Sequence, residues 1–130
     1  MFFCPEAAVT TLTASPPVPS FSIETRDLTL VWEYTLDGSV LFAQFLNVTG
    51  GGSERIARQV SEGGSVNVEA KYQDRFAVVI TGSQASLKIR GVQSSDQGKY
   101  RFTLSPTGSG NILDEVEVIV QGNMPIHSFE

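Results

Sequence analysis

The residues that carry most enzymatic chemistry are almost missing from this chain. His127 is its only histidine and Cys4 its only cysteine. A Ser-His-Asp or Cys-His arrangement needs nucleophile, base and orienting acid within hydrogen-bond reach. A zinc site needs several nitrogen or sulfur ligands converging on one point. His127 falls in a tail and Cys4 near the amino terminus with no base beside it, so neither can be assembled. Asp114, Glu115 and Glu117 offer carboxylates to a calcium ion, but alternation along one strand turns at least one away from the others. The glycine runs at 50–52 and 63–64 do not follow a strand and open a helix, so they are not phosphate cradles. No catalytic residue, metal or cofactor is expected. The chain reads as a binding or structural protein, not an enzyme.

Length and charge narrow the class further. The chain has 130 residues, one domain's worth, with 41% hydrophobic and 18% charged residues. A net charge of −5 without a basic cluster argues against a nucleic-acid partner. No apolar run approaches the roughly 20 residues that span a bilayer, so no direct membrane insertion is expected. The opening MFFCPEAAV lacks the basic and long apolar regions of a signal peptide. With one cysteine, no intrachain disulfide can form.

The elements that would position any site are strands. Leu87 to Phe102, LKIRGVQSSDQGKYRF, holds Leu87, Ile89, Val92, Asp96, Gly98 and Tyr100 at the spacing L-x-I-x-x-V-x-x-x-D-x-G-x-Y. Leu87 and Ile89 point inward between Lys88 and Arg90, a polar crossover follows, and Tyr100 and Phe102 re-enter the core. Leu28, Leu30 and Trp32 alternate with Thr29, Val31 and Glu33. Asp37-Gly38 is a hairpin signal. Val40 to Leu46 is apolar on both parities, Gly50 to Ser53 is a turn, Glu54 to Glu62 suits a short edge strand, and Val66 and Val68 begin another. Phe76 to Thr81 is a strand. Ile112 to Val120 sets Val116, Val118 and Val120 inward, with Leu113, Glu115, Glu117 and Ile119 outward. The prolines of Ser15 to Ser20 remove ladder donors, so that stretch is a loop or an edge.

The Leu87–Phe102 spacing resembles the E strand, E–F corner and F strand of a variable-type immunoglobulin domain. The resemblance covers about residues 7–121. It implies an all-β sandwich of two antiparallel sheets without the B–F disulfide, since Phe102 stands where the second cysteine belongs. Tyr100 would be the tyrosine corner, Trp32 the core tryptophan of strand C, and Arg75 the partner of Asp96. Structural roles thus fall to Trp32, Arg75, Leu87, Asp96, Tyr100 and Phe102. Strand B has two registers: Leu12–Ala14, with Ala14 at the first-cysteine position, or Ser20–Glu24, with Phe21 there. The first is favoured because TLTASPP resembles the way strand B enters its loop. Val40–Leu46 would be strand C′. Its two apolar faces reflect either a covering neighbour or irregular packing, or else an outward patch that meets a partner. Residues 1–6 would be an extension or strand A, and 122–130 a linker or the start of a further domain.

Among disulfide-free members, the chain resembles the membrane-distal domains of allorecognition receptors of colonial cnidarians such as Hydractinia, and after them the CD2-like adhesion receptors. That implies the extracellular part of a single-pass protein at the cell surface, acting in adhesion or self/non-self recognition. It also makes the Asn47-Val48-Thr49 sequon a glycosylation candidate at Asn47. The implied partner is another protein, the same receptor on an opposing cell, with a weak homodimer in solution. Contact would run through the GFCC′ sheet: Val31, Glu33 and Thr35, Phe42 and Gln44, Lys99, Arg101 and Thr103, Leu113 and Glu115. Lys99 and Arg101 beside Glu33, Glu115 and Glu117 place both signs on one patch, as a self-complementary two-fold contact needs. Two other readings stand beside it. One is a heterophilic or immune ligand bound through Ser105–Asn111 and the B–C segment; the other is a spacer that binds nothing.

Overall fold

A computed structural model describes residues 9–60 and 65–122. Ten strands form two sheets: β1 (Thr11–Ala14), β2 (Ser20–Ile23), β3 (Leu28–Thr35), β4 (Val40–Asn47), β5 (Glu54–Val60), β6 (Val66–Val68), β7 (Phe76–Ile80), β8 (Gln84–Ile89), β9 (Gly98–Pro106) and β10 (Ile112–Gln121). One sheet has the order β1-β3-β8-β7, the other β2-β10-β9-β4-β5-β6. All pairings are antiparallel except β2 with β10, which is parallel. The prolines of Ser15 to Pro19 mark where the chain leaves the first sheet for the second, because a residue without an N–H cannot extend a ladder.

The core lies between the sheets and follows the alternation read from the sequence. Leu30, Trp32 and Tyr34 of β3 meet Ala85, Leu87 and Ile89 of β8 from one side. Phe45 of β4, Tyr100, Phe102 and Leu104 of β9, and Val116 and Val118 of β10 close from the other. Trp32, Phe45 and Phe102 are fully buried. Their ring centroids lie 5.5 Å (Trp32–Phe45), 5.2 Å (Trp32–Phe102) and 5.0 Å (Phe45–Phe102) apart in tilted geometry. Such aromatic pairs add about 0.5–1.5 kcal/mol each beyond the area they bury.

Several expected placements change. Neither Leu12–Ala14 nor Ser20–Glu24 pairs with β8. Leu28–Thr35 does, on the side of β8 opposite β7, so β1 and β2 are edge strands of opposite sheets and Trp32 lies one strand earlier than expected. Asp37-Gly38 does not make a hairpin, because β3 and β4 belong to different sheets. Val40–Asn47 is a central strand between β9 and β5, with irregular register near Val40–Phe42 against β9 and near Phe45–Leu46 against β5. A bulge reverses which parity faces in. Val40, Ala43 and Phe45 are therefore all buried in the core, while Leu41 is 50% exposed and Phe42 half-buried. Glu54–Val60 is not an edge strand; β6 covers its far side. Cys4, the 1–6 extension, Gly63-Gly64 and residues 123–130, with His127, lie outside the described residues.

Candidate recognition surface

The corner preceding β9 is the best-defined polar site. Asp96 is buried and accepts two bonds from the Arg75 guanidinium, both 2.8 Å, and one from the Gln93 N–H at 2.7 Å. The Tyr100 hydroxyl donates to the Asp96 carbonyl, the tyrosine corner the sequence implies. Burial alone would raise the Asp96 pKa, but the Arg75 and Gln93 donors outweigh it and hold the carboxyl below its usual range. Burial pushes the Tyr100 phenol up, and the Asp96 charge adds to it. The Arg75, Gln93 and Tyr100 donors are thus engaged within the corner itself.

Asn47 ends β4 on the wall of a nearby polar cavity of about 420 Å³ that Arg75, Asp96 and Tyr100 also line. Its Oδ1 accepts from the Thr49 N–H at 3.0 Å and from the Thr49 hydroxyl at 2.6 Å. Thr49 in turn packs on Gly98, where a Cβ would come within 2.0 Å of its Oγ1. The sequon thus forms a compact turn, and the glycine of the D-x-G-x-Y spacing is required by that close approach. Tyr72, which donates to Glu54 and also hydrogen-bonds Asn47, has its pKa pushed up to about 12, first by burial and then by Glu54.

The largest continuous strand surface is the outer face of the six-stranded sheet. The register sets its residues in rows: Glu117 with Lys99; Glu115, Arg101, Leu46 and Arg55; Leu113, Thr103, Gln44, Arg58 and Asn67; Ser105, Phe42 and Val60. Arg101 donates to Glu115 through Nε at 2.8 Å and Nη2 at 2.6 Å. Leu113 is 65% and Val60 52% exposed, while Phe42, Gln44 and Thr103 are half-buried. The Thr103 Oγ1 is buried without a hydrogen-bond partner among the described residues. A depression of about 490 Å³ separates Gly50–Gly52 from Lys99, Arg101, Glu115 and Glu117.

Phe42, Gln44, Lys99, Arg101, Thr103, Leu113 and Glu115 therefore share one face, as expected. Val31, Glu33 and Thr35 do not join them. They lie on β3, in the other sheet, because that strand pairs with β1 and β8. Glu33 accordingly sits away from Arg101, and Asp114, offered above as a calcium ligand, turns inward to accept from the Trp32 indole Nε1 at 2.8 Å. Among the described residues no cluster of three or more His, Cys, Asp or Glu could hold a metal ion. Sequence reasoning missed Leu46, Arg55 and Arg58, which the register sets on the same face. The register shifts that place them leave no mark in the residue pattern.

No protein-family model matches the chain, and no curated protein matches it by sequence. Solved structures do. A chain of the structure of murine CRIg superposes with a TM-score of 0.66 at 19% identity, covering 88% of this chain and 98% of that one. A chain from work on the structural basis of T cell specificity and activation by the bacterial superantigen toxic shock syndrome toxin-1 gives 0.71 at 12% identity, covering 86% and 99%. The chain folds as a variable-type immunoglobulin domain. In the strand letters of that fold, β1 and β2 are A and A′, β3 is B, β4 to β6 are C, C′ and C″, and β7 to β10 are D, E, F and G. Trp32 then occupies the first-cysteine position on B and Phe102 the second on F. Phe45 takes the place on C that the fold gives to its core tryptophan. The indole has moved to the strand that usually carries a cysteine. With 1876 solved chains matching this fold, the likeness by itself selects no single function.

Proposed function

We propose that the chain is an extracellular recognition module of a cell-surface receptor, serving cell–cell adhesion or self/non-self recognition by homophilic contact through its GFCC′ face. The observation that carries this reading is the composition of that face. Four adjacent strands expose apolar side chains, Leu113 and Val60, together with carboxylates on G and guanidiniums on F and C′. An isologous interface sets one patch on itself, so each sign must find the other within the same patch. Planar dimensions of about 19 by 27 Å for four strands and four rows give on the order of 500 Å² per copy. That is less than the ~800 Å² per partner of a standard stable interface, so association is weak in solution and gains strength by multivalency on a membrane.

Sedimentation equilibrium up to millimolar concentration tests this. Reversible dimerisation, reduced by Arg101→Glu or Phe42→Ser, is the expected result. A wild-type chain that stays monomeric removes homophilic recognition and leaves a heterophilic ligand or a spacer.

One observation favours a second, loop-based reading. The Asp37 carboxylate on the B–C loop accepts from the Ser109 N–H at 2.7 Å and the Ser109 hydroxyl at 2.9 Å on the F–G loop. These bonds, the backbone N–H first, hold its pKa below the usual carboxylate range. Two loops tied at one end of the sandwich offer a heterophilic ligand a preorganised surface.

A further inference from the structure

The outer face is not evenly mixed in charge. Its carboxylates, Glu115 and Glu117, stand on G, and the arginines farthest from them, Arg55 and Arg58, stand on C′. G and C′ are three strand spacings apart, about 14 Å. Glu117 and Arg58 make no ion pair among the described residues. Arg55 reaches Glu69 at 3.5 Å between two well-exposed side chains, which leaves its charge largely available.

This face can meet a copy of itself about a two-fold axis lying between the sheets in two limiting ways. With the axis across the strands, G lies on G and C′ on C′, so carboxylates oppose carboxylates and guanidiniums oppose guanidiniums. With the axis along the strands, midway between F and C, G of each copy lies over C′ of the other. Like-charge juxtaposition suppresses the first and opposite charge favours the second. We infer that a second copy docks in the second orientation, the acidic G strand of each against the basic C′ strand of the other. The inference rests on the homophilic reading above and narrows it. An axis along the strands leaves the two copies parallel, with both G strands ending on the same side, so this contact joins copies standing side by side on one membrane.

The rows support it beyond net charge. An axis along the strands keeps each row level with itself. Glu115 then meets Arg55 of the second copy and extends the Arg101–Glu115 pair into a network reaching Glu69 of that copy. In the same orientation F lies over C, which sets Thr103 against Gln44 and Ser105 against Phe42. Small hydroxyl residues thus face the larger amide and ring.

Charge exchange tests the orientation. One chain carries Glu115→Lys with Glu117→Lys; the other carries Arg55→Glu with Arg58→Glu. Each alone places like charges against like and should lose self-association roughly tenfold or more. Mixed in equal amounts, each strand finds its opposite on the other chain at both G–C′ contacts, and association should return to near the wild-type level. Two misfolded chains cannot regain binding on mixing, so recovery also proves that both variants fold. Unchanged unfolding midpoints check the same point where recovery fails. Folded variants that fail to associate on mixing, or a Glu-to-Lys chain that still self-associates at the wild-type level, overturn the orientation while leaving homophilic binding intact. A wild-type chain that never dimerises overturns both.

Discussion

Arg75 grips Asp96 with two parallel 2.8 Å hydrogen bonds, one to each carboxylate oxygen, where the D strand begins beneath the turn into F. The Asp96 side chain is 7% exposed and that of Arg75 32%. A bidentate pair of this kind fixes orientation as well as charge, and a lysine cannot reproduce its fork. Removing the arginine leaves a buried carboxylate facing only the Gln93 N–H. Arg75→Ala should destabilise the domain by about 2–4 kcal/mol. Arg75→Lys should recover only part of that, as read from urea midpoints at constant m-value.

The same pair contributes to the acid limit. Because the folded Asp96 pKa lies below its unfolded value, its contribution is complete above about pH 4 and is lost as pH falls through the folded value. Tyr34 and Tyr100 act in the opposite direction. Their folded pKa values are raised, chiefly by burial, so their contribution holds below about pH 10 and is lost as pH climbs toward the folded values. Thermal midpoints should form a plateau between these limits and fall on both sides, and Asp96→Asn should flatten the acid side.

Among the described residues, Trp32 and Asp114 form the one side-chain hydrogen bond that crosses directly from the B strand to the G strand. Trp32→Phe removes the indole donor and leaves a half-buried carboxylate with no such partner, at a cost of about 2–4 kcal/mol that combines lost volume and lost hydrogen bond. A double-mutant cycle with Asp114→Ala should yield a coupling of about 0.5–2 kcal/mol.

Gly98→Ala should destabilise by about 1–3 kcal/mol, because its Cβ would overlap the Thr49 hydroxyl. Thr49→Gly vacates that space, so the pair of substitutions should cost less than their sum in the same unfolding assay.

The two outer faces give the recognition reading an internal control. Glu33→Lys, on the B strand of the opposite sheet, should leave self-association unchanged in sedimentation, whereas Arg101→Glu, on F, should weaken it.

Legibility in the sequence followed the range of the interactions. Leu87, Ile89, Asp96, Tyr100 and Phe102 were readable because strand alternation and the corner are local, and the Arg75–Asp96 pair came with the resemblance. The placement of Trp32 was not readable. A tryptophan flanked by alternating leucines describes strand B and strand C equally well, and only the pairing of β3 with β8 decides between them. That one-strand offset moved Val31, Glu33 and Thr35 to the wrong sheet and turned a central strand into a presumed C′. Arg55 and Arg58 escaped notice because their facing depends on register shifts in β4 and β5, which depend on neighbouring strands and not on the residues themselves.

Trp32 and Phe102 hold B to F by contact alone, where a disulfide would make a covalent strap. A strapped sandwich pulled from its ends can release only the segments outside the bridge. Here no covalent bridge restrains the segment from residue 32 to residue 102, so once the sheets part under load the whole of it can extend at roughly 3.5 Å per residue. Pulled in this way, the domain would lengthen along that whole segment, and it would refold without any thiol having to find its mate.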